Sequence, residues 1–234
     1  MIKKRSGRIS QGIGLATRLR ADLMGRGVHS YAQCGEDVFL VNECYLPDRG
    51  TYVDIGAGHP YFGSNTFLFY RRGWQGLTID PNPDHGRLHR IVRPDDTFLE
   101  LGVATKASEL EYFRFTNPDF NTFDSNARDR AISNNGKLTG STRIPVRPLV
   151  DILGEHGVTE AFDLLSVDCE GLDLDVLNSN DWMRFRPRIV LVEDLPSVED
   201  PFQVTEVHKT MTQVDYRRRA TVGYTAVYQA KEQR

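Results

Sequence analysis

The chain has 234 residues, 39% of them apolar and 26% charged, with 29 lysines and arginines against 32 aspartates and glutamates for a net charge of −3. That is a globular composition, which excludes disordered, collagen-like and disulfide-scaffold classes, and a chain this long buries enough surface to fold without covalent staples. No apolar run comes near the roughly 18 residues of a membrane helix, so no transmembrane segment is expected.

Residues 1–28 carry seven lysines and arginines against one acid, Asp22. They read as a basic N-terminal arm, either a solvated leader packing through Leu15, Leu19 and Leu23 or an attractor of anionic partners. The arm lacks the uninterrupted apolar stretch of a secretory leader. The three cysteines, Cys34, Cys44 and Cys169, contain no CxxC pair. Free thiols suit a reducing compartment, so a cytoplasmic location is expected.

From Ser30 onward short β-rich runs alternate with amphipathic segments, the pattern of a parallel sheet with helices on both faces. The order predicts a helix over 35–46, a strand over 51–58, a helix over about 65–72, a strand over 76–80, a helix near 83–92 and a strand over 97–104. An insertion of about 105–147 follows, with strand-like runs at 110–115 and 142–147 around a polar stretch, 117–142. A polar stretch this long inside a compact domain is usually functional, so this one is expected to face the substrate. A helix over 148–157, a strand over 162–168, a helix over 172–178, a strand over 188–194 and a helix near 202–212 complete the alternation. Two β-rich runs, 214–221 and 224–230, meet at Val222 and Gly223, a link so short that it permits only an antiparallel pair. No repeat or linker marks a second domain.

TYVDIGAGHP, residues 51–60, is the most informative stretch. A buried strand ends in Asp54 and opens a turn with Gly56 and Gly58 two apart, where glycines let backbone approach a ligand and tolerate positive φ. The dinucleotide fingerprint needs a third glycine where Tyr61 stands, and Asp54 would repel a pyrophosphate, so a cationic ligand suits the turn better. Asp80 ends the next strand, 26 residues on, at the position from which an acid takes ribose hydroxyls. Together the two acids imply a nucleoside. His59 follows the glycine turn and is a candidate proton acceptor. Ser64, Asn65 and Thr66 open the next helix as caps, with Asn65 also within reach of a ligand.

Four further acids gather at two later strand ends: Asp168 and Glu170 in SVDCEG, Glu193 and Asp194 in LVED. Such clustering raises carboxyl pKa values unless a cation compensates. Magnesium or another oxygen-preferring divalent ion held by Asp168, Glu193 and Asp194 is one reading. General-base work by one carboxylate, or pairing with Arg186 and Arg188, are the others.

These residues carry a resemblance. SYAQCGEDVFL (30–40), GTYVDIGAGHPYFGSNT (50–66), GWQGLTIDPNP (73–83), FDLLSVDCEGLDLDVL (162–177) and IVLVED (189–194) together resemble the FkbM family of S-adenosylmethionine-dependent methyltransferases. The resemblance implies a Rossmann-like fold over 29–234, a seven-stranded mostly parallel sheet with an antiparallel last strand, and one bound S-adenosylmethionine. It would place Asp54, Gly56 and Gly58 along the methionine portion, Asp80 at the ribose, Gly102, Val103 and Ala104 at the adenine, and Gln33 and Glu36 closing over the cofactor. The expected reaction is O-methylation of a hydroxyl on a small molecule such as a sugar or natural product, with Asp168 or His59 receiving the proton. The alternatives are a nucleic-acid methyltransferase, disfavoured by the acidic crevice and the lack of a [DN]PPY-like turn after the fourth strand, and a non-catalytic cofactor-binding module. Self-association as a homo-oligomer is left open.

Overall fold

The computed structural model describes residues 28–196 and 203–232. The basic arm, apart from Val28, lies outside the described residues.

The first described helix, α1 (Glu36–Glu43), starts behind Gly35, whose φ of 92° turns the chain into it. The alternation then proceeds as β1 (Thr51–Ile55), α2 (Phe67–Arg71), β2 (Gln75–Ile79), α3 (Pro83–Val92) and β3 (Thr97–Leu99). Next come β4 (Gly102–Val103), β5 (Ser108–Phe115), α4 (Ser125–Ser133) and β6 (Leu138–Arg147). The chain continues through α5 (Leu149–Glu155), β7 (Leu164–Val167), α6 (Asp173–Asn178), β8 (Ile189–Glu193), α7 (Glu206–Gln213), β9 (Tyr216–Val222) and β10 (Thr225–Ala230).

Seven strands form one sheet in the order β3-β2-β1-β7-β8-β10-β9. Pairing is parallel from β3 through β8, and β10 enters antiparallel between β8 and β9. This is the mostly parallel sheet with a reversed last strand that the family resemblance implies. Successive residues in a strand face opposite ways, so each strand feeds two cores. Val53, Ile55, Leu165, Val167 and Val190 pack against α5, α6 and α7 on one face. Tyr52, Leu164, Ile189, Leu191 and Val227 pack against Leu40 of α1 and Phe69 of α2 on the other. Burial on both faces explains why the strands read as continuous apolar runs.

One expectation is corrected, and the insertion resolves into elements of its own. The strand expected over 97–104 is two strands in two sheets: β3 pairs with β2, whereas β4 leaves to pair with β6. Gly102 makes the crossing, since a β-carbon there would sit 2.9 Å from both Phe123 and Val146. The polar stretch 117–142 is also more ordered than its composition suggested. It holds a 3-10 turn (Pro118–Phe120), α4 and the first half of β6, which pairs with β5 in a three-stranded sheet ordered β4-β6-β5. α4 buries no residue, and its start is fixed by Asp124, which accepts from the amides of Asn126 and Ala127. With no buried face there was no apolar period to detect.

Candidate functional site

The direction of the chain across the sheet reverses between β1 and β7, and in open α/β sheets the crevice beyond the carboxyl ends at such a point is where ligands bind. A cavity of about 560 Å³ lies there, within the roughly 300–1,000 Å³ typical of small-molecule sites. Its floor is the turn Gly56–His59 after β1, Asp80 and Pro81 after β2, and Asp168, Cys169 and Glu170 after β7. Leu101, Gly102 and Val103 line it as well, with Tyr112, Asn121, Thr122 and Phe123 of the insertion beside them. Thr122 ties the insertion down by donating to the Glu170 carbonyl at 3.0 Å.

Of the residues singled out by sequence, Gln33, Gly56, Gly58, His59, Asp80, Gly102, Val103 and Asp168 line this cavity. Gln33 arrives because Ala32 bridges to Gly63 and Ser64 donates to the Tyr31 carbonyl. Glu36, Asp54, Asn65, Ala104, Glu193 and Asp194 are not among the lining residues. Glu36 is buried against the β9–β10 hairpin, accepting from the Cys34 amide and from Thr225. Asn65 donates to Ser166 beneath the floor. Ala104 continues the β4 pairing, its amide donating to the Arg147 carbonyl.

Asp54 points into a buried network rather than the cavity. It accepts from Thr66 Oγ1 at 2.5 Å, and Arg93 Nη2 donates to the same threonine oxygen at 2.9 Å. Burial pushes the Asp54 carboxyl up, opposed by the Arg93 guanidinium and by hydrogen bonds from Thr66 and Ser166. Arg93 itself is wholly buried, paired with Asp96 at 2.7 Å, and it donates to Tyr52, Ser64 and the Pro60 carbonyl. One cation thereby fixes both ends of the loop that carries the cavity floor into α2. Sequence reasoning passed over Arg93 because a lone arginine at a helix end looks like a solvated charge.

The two glycines of the turn act differently. Gly56 has φ 74°, and a β-carbon on it would stand 1.7 Å from the Asp168 carbonyl oxygen. Gly58, at φ 54°, would carry a β-carbon in ordinary contact, 3.8 Å from the Gly56 carbonyl oxygen. Gly58 is held by hydrogen bonds: its amide donates to Asp80 Oδ2 at 2.9 Å, and its carbonyl meets His89 Nε2 at 3.1 Å. Burial first, then Arg93, lowers the His89 pKa to about 4, so its ring is neutral and donates to the carbonyl.

The later acids are close enough to perturb one another. Burial, then Glu193 and Asp173, raise the Asp168 carboxyl well above the usual range, and burial, then Glu170 and Asp173, push Glu193 up to about 8. Asp194 is committed elsewhere, accepting from Thr205 Oγ1 at 2.9 Å. Among the described residues no three histidine, cysteine or acidic side chains are gathered to hold a metal ion. The expected ligand set Asp168, Glu193 and Asp194 is therefore not formed as a metal site among the described residues, and only Asp168 of the three lines the cavity. His59 lines the mouth, accepting the amides of Tyr61 and Phe62 on Nδ1, and its pKa is lowered by burial and then by His85.

The family described as Methyltransferase FkbM domain matches residues 54–218. Among solved structures, a TehB-like SAM-dependent methyltransferase from Corynebacterium glutamicum is 12% identical with a TM-score of 0.41, over 95% of this chain and 99% of that one. A methyltransferase from Geobacter sulfurreducens is 14% identical with a TM-score of 0.42, over 98% and 99%. A search of curated proteins found no match.

Proposed function

The chain belongs to the FkbM methyltransferase family, and on that premise we propose that it moves a methyl group from S-adenosylmethionine to a hydroxyl of a small, non-anionic acceptor. The observation that carries this reading is the cavity at the β1/β7 reversal, with Asp80 in its floor and no lysine or arginine among the described residues that line it. Asp80 and Asp119 give the lining a negative character, to which Asp168 and Glu170, whose carboxyls burial and neighbouring acids raise, add only as they ionise; this suits a sulfonium and disfavours phosphate, so nucleic acid is a poor fit. The residues fit the cofactor: Asp80 can take a ribose hydroxyl, the turn at Gly58 leaves room for close approach, and Leu101–Val103 offer an apolar wall for a base.

When bound, the cofactor supplies an electrophilic methyl carbon. The chain's own contribution is placement, and holding two reactants in line is worth about 7–11 kcal/mol of barrier. The insertion wall, Tyr112 and Asn121–Phe123, lines the same cavity and offers the surface for the acceptor. The Asp168 side chain makes no hydrogen bond among the described residues, and in its ionised form the raised pKa makes it the stronger base for the proton of an attacking hydroxyl. His59, at the mouth, is the second candidate for that proton.

The test is incubation with methyl-labelled cofactor and a panel of sugars and hydroxylated natural products, read by label transfer and a mass gain of one methylene. Transfer to a neutral or amino-bearing hydroxyl compound supports the reading. Transfer confined to RNA, or no cofactor binding at all, contradicts it.

A further inference from the structure

The geometry points to His85 as a second ribose-binding residue, sharing the cofactor's two ribose hydroxyls with Asp80; we propose this assignment on the strength of the cofactor reading above. A carboxylate offers about four acceptor positions. Asp80 has already filled three: Oδ1 accepts from the Asn82 amide at 2.8 Å and stands 3.0 Å from His85 Nδ1, and Oδ2 accepts from the Gly58 amide at 2.9 Å. One position remains, on Oδ2. Asp80 can therefore take one ribose hydroxyl and not both, which leaves the other to a different group.

His85 is the group in place. It sits in the first turn of α3, lines the same cavity as Asp80, and its side chain is 14% exposed. A carboxylate oxygen only accepts, so the contact at 3.0 Å requires the proton on Nδ1. Nε2 is then the ring atom left for a ligand hydroxyl, and it has no hydrogen-bond partner among the described residues. Asp80 also fixes the ring's orientation, much as a carboxylate orients a histidine that binds a metal through its other nitrogen. Helical spacing makes the arrangement economical: His85 and His89, four apart on α3, share a face. His89 holds the Gly58 carbonyl while His85 holds Asp80. The pair locks the turn and the acid in one register.

The test is calorimetric titration of the full chain with S-adenosylhomocysteine and with its 2′-deoxy and 3′-deoxy analogues, in wild type, His85→Leu and His85→Gln. In wild type, removing either hydroxyl is expected to weaken binding about tenfold, the loss of one hydrogen bond. In His85→Leu one of those two penalties is expected to shrink below about twofold while the other persists, and His85→Gln, which keeps a polar end, restores part of it. A wild type in which only one hydroxyl matters overturns the assignment, even if His85→Leu fails to fold. So does a His85→Leu protein that keeps both penalties, or one that loses both, since His85 would then act only by orienting Asp80. A wild type that binds S-adenosylhomocysteine with these penalties absent refutes His85 alone, whereas no binding of the parent compound refutes the proposed cofactor and this assignment with it.

Discussion

Gly56 faces the Asp168 carbonyl oxygen so closely that a β-carbon in its place would lie 1.7 Å away. The carboxyl ends of β1 and β7 are thus pressed together at the point where the cavity begins. The glycine is required by sheet packing as much as by a ligand. Gly56→Ala must both shift backbone and hold alanine at φ 74°, costs of about 1–3 kcal/mol each. Chemical denaturation is expected to show a loss of at least about 2 kcal/mol with no cofactor present. An alanine variant of wild-type stability that fails only in cofactor binding would contradict this.

Arg93→Met removes the one cation from a buried cluster and strands Asp96, whose side chain is 1% exposed. Breaking such a pair costs about 3–5 kcal/mol. Urea unfolding is expected to show that loss, and Asp96→Asn combined with Arg93→Met is expected to recover part of it. Equal stability of Arg93→Met and wild type would contradict the network.

Glu193 is pushed up to about 8 by burial and neighbouring acids, and Asp168 is raised in the same sense. An acid whose folded pKa exceeds its unfolded value of about 4.3 holds an extra proton in the folded state between those values, so stability falls as pH rises across that window. The cofactor-free protein is expected to lose melting temperature steadily from about pH 5 to pH 8, and Glu193→Gln to flatten the slope. A Glu193→Gln protein with the wild-type slope would assign the effect elsewhere.

Much of this was legible in the chain. The βα alternation pointed to a parallel sheet, the short link after β9 to an antiparallel pair and the family resemblance to the reversed last strand, and the turn Gly56–Gly58 with Asp80 marked the cavity. Three things were not. Asp54 looked like a ligand because it ends a strand, yet in a strand the residues one apart face opposite sides, and its side falls toward Thr66 and Arg93. The insertion's helix α4 has no buried face to betray it. His85 carries no local pattern, since its importance comes from Asp80, which is brought against it by the turn Pro81–Pro83.

Asp168→Asn keeps the shape of the cavity floor while removing the proton acceptor. Its affinity for S-adenosylhomocysteine is expected to stay within about threefold, while label transfer to an active acceptor falls by roughly 10²–10⁴, the usual contribution of a general base. Retained turnover would move the role to His59, and a parallel His59→Gln assay distinguishes the two.

The most direct measurement is the heat of binding of S-adenosylhomocysteine to wild type and to Asp80→Ala, with melting temperature followed in parallel. The account predicts saturable one-to-one binding and a rise in melting temperature for wild type, and at least tenfold weaker binding for Asp80→Ala, the loss of a charge-assisted hydrogen bond. No heat and no thermal shift with the folded wild-type chain would contradict it.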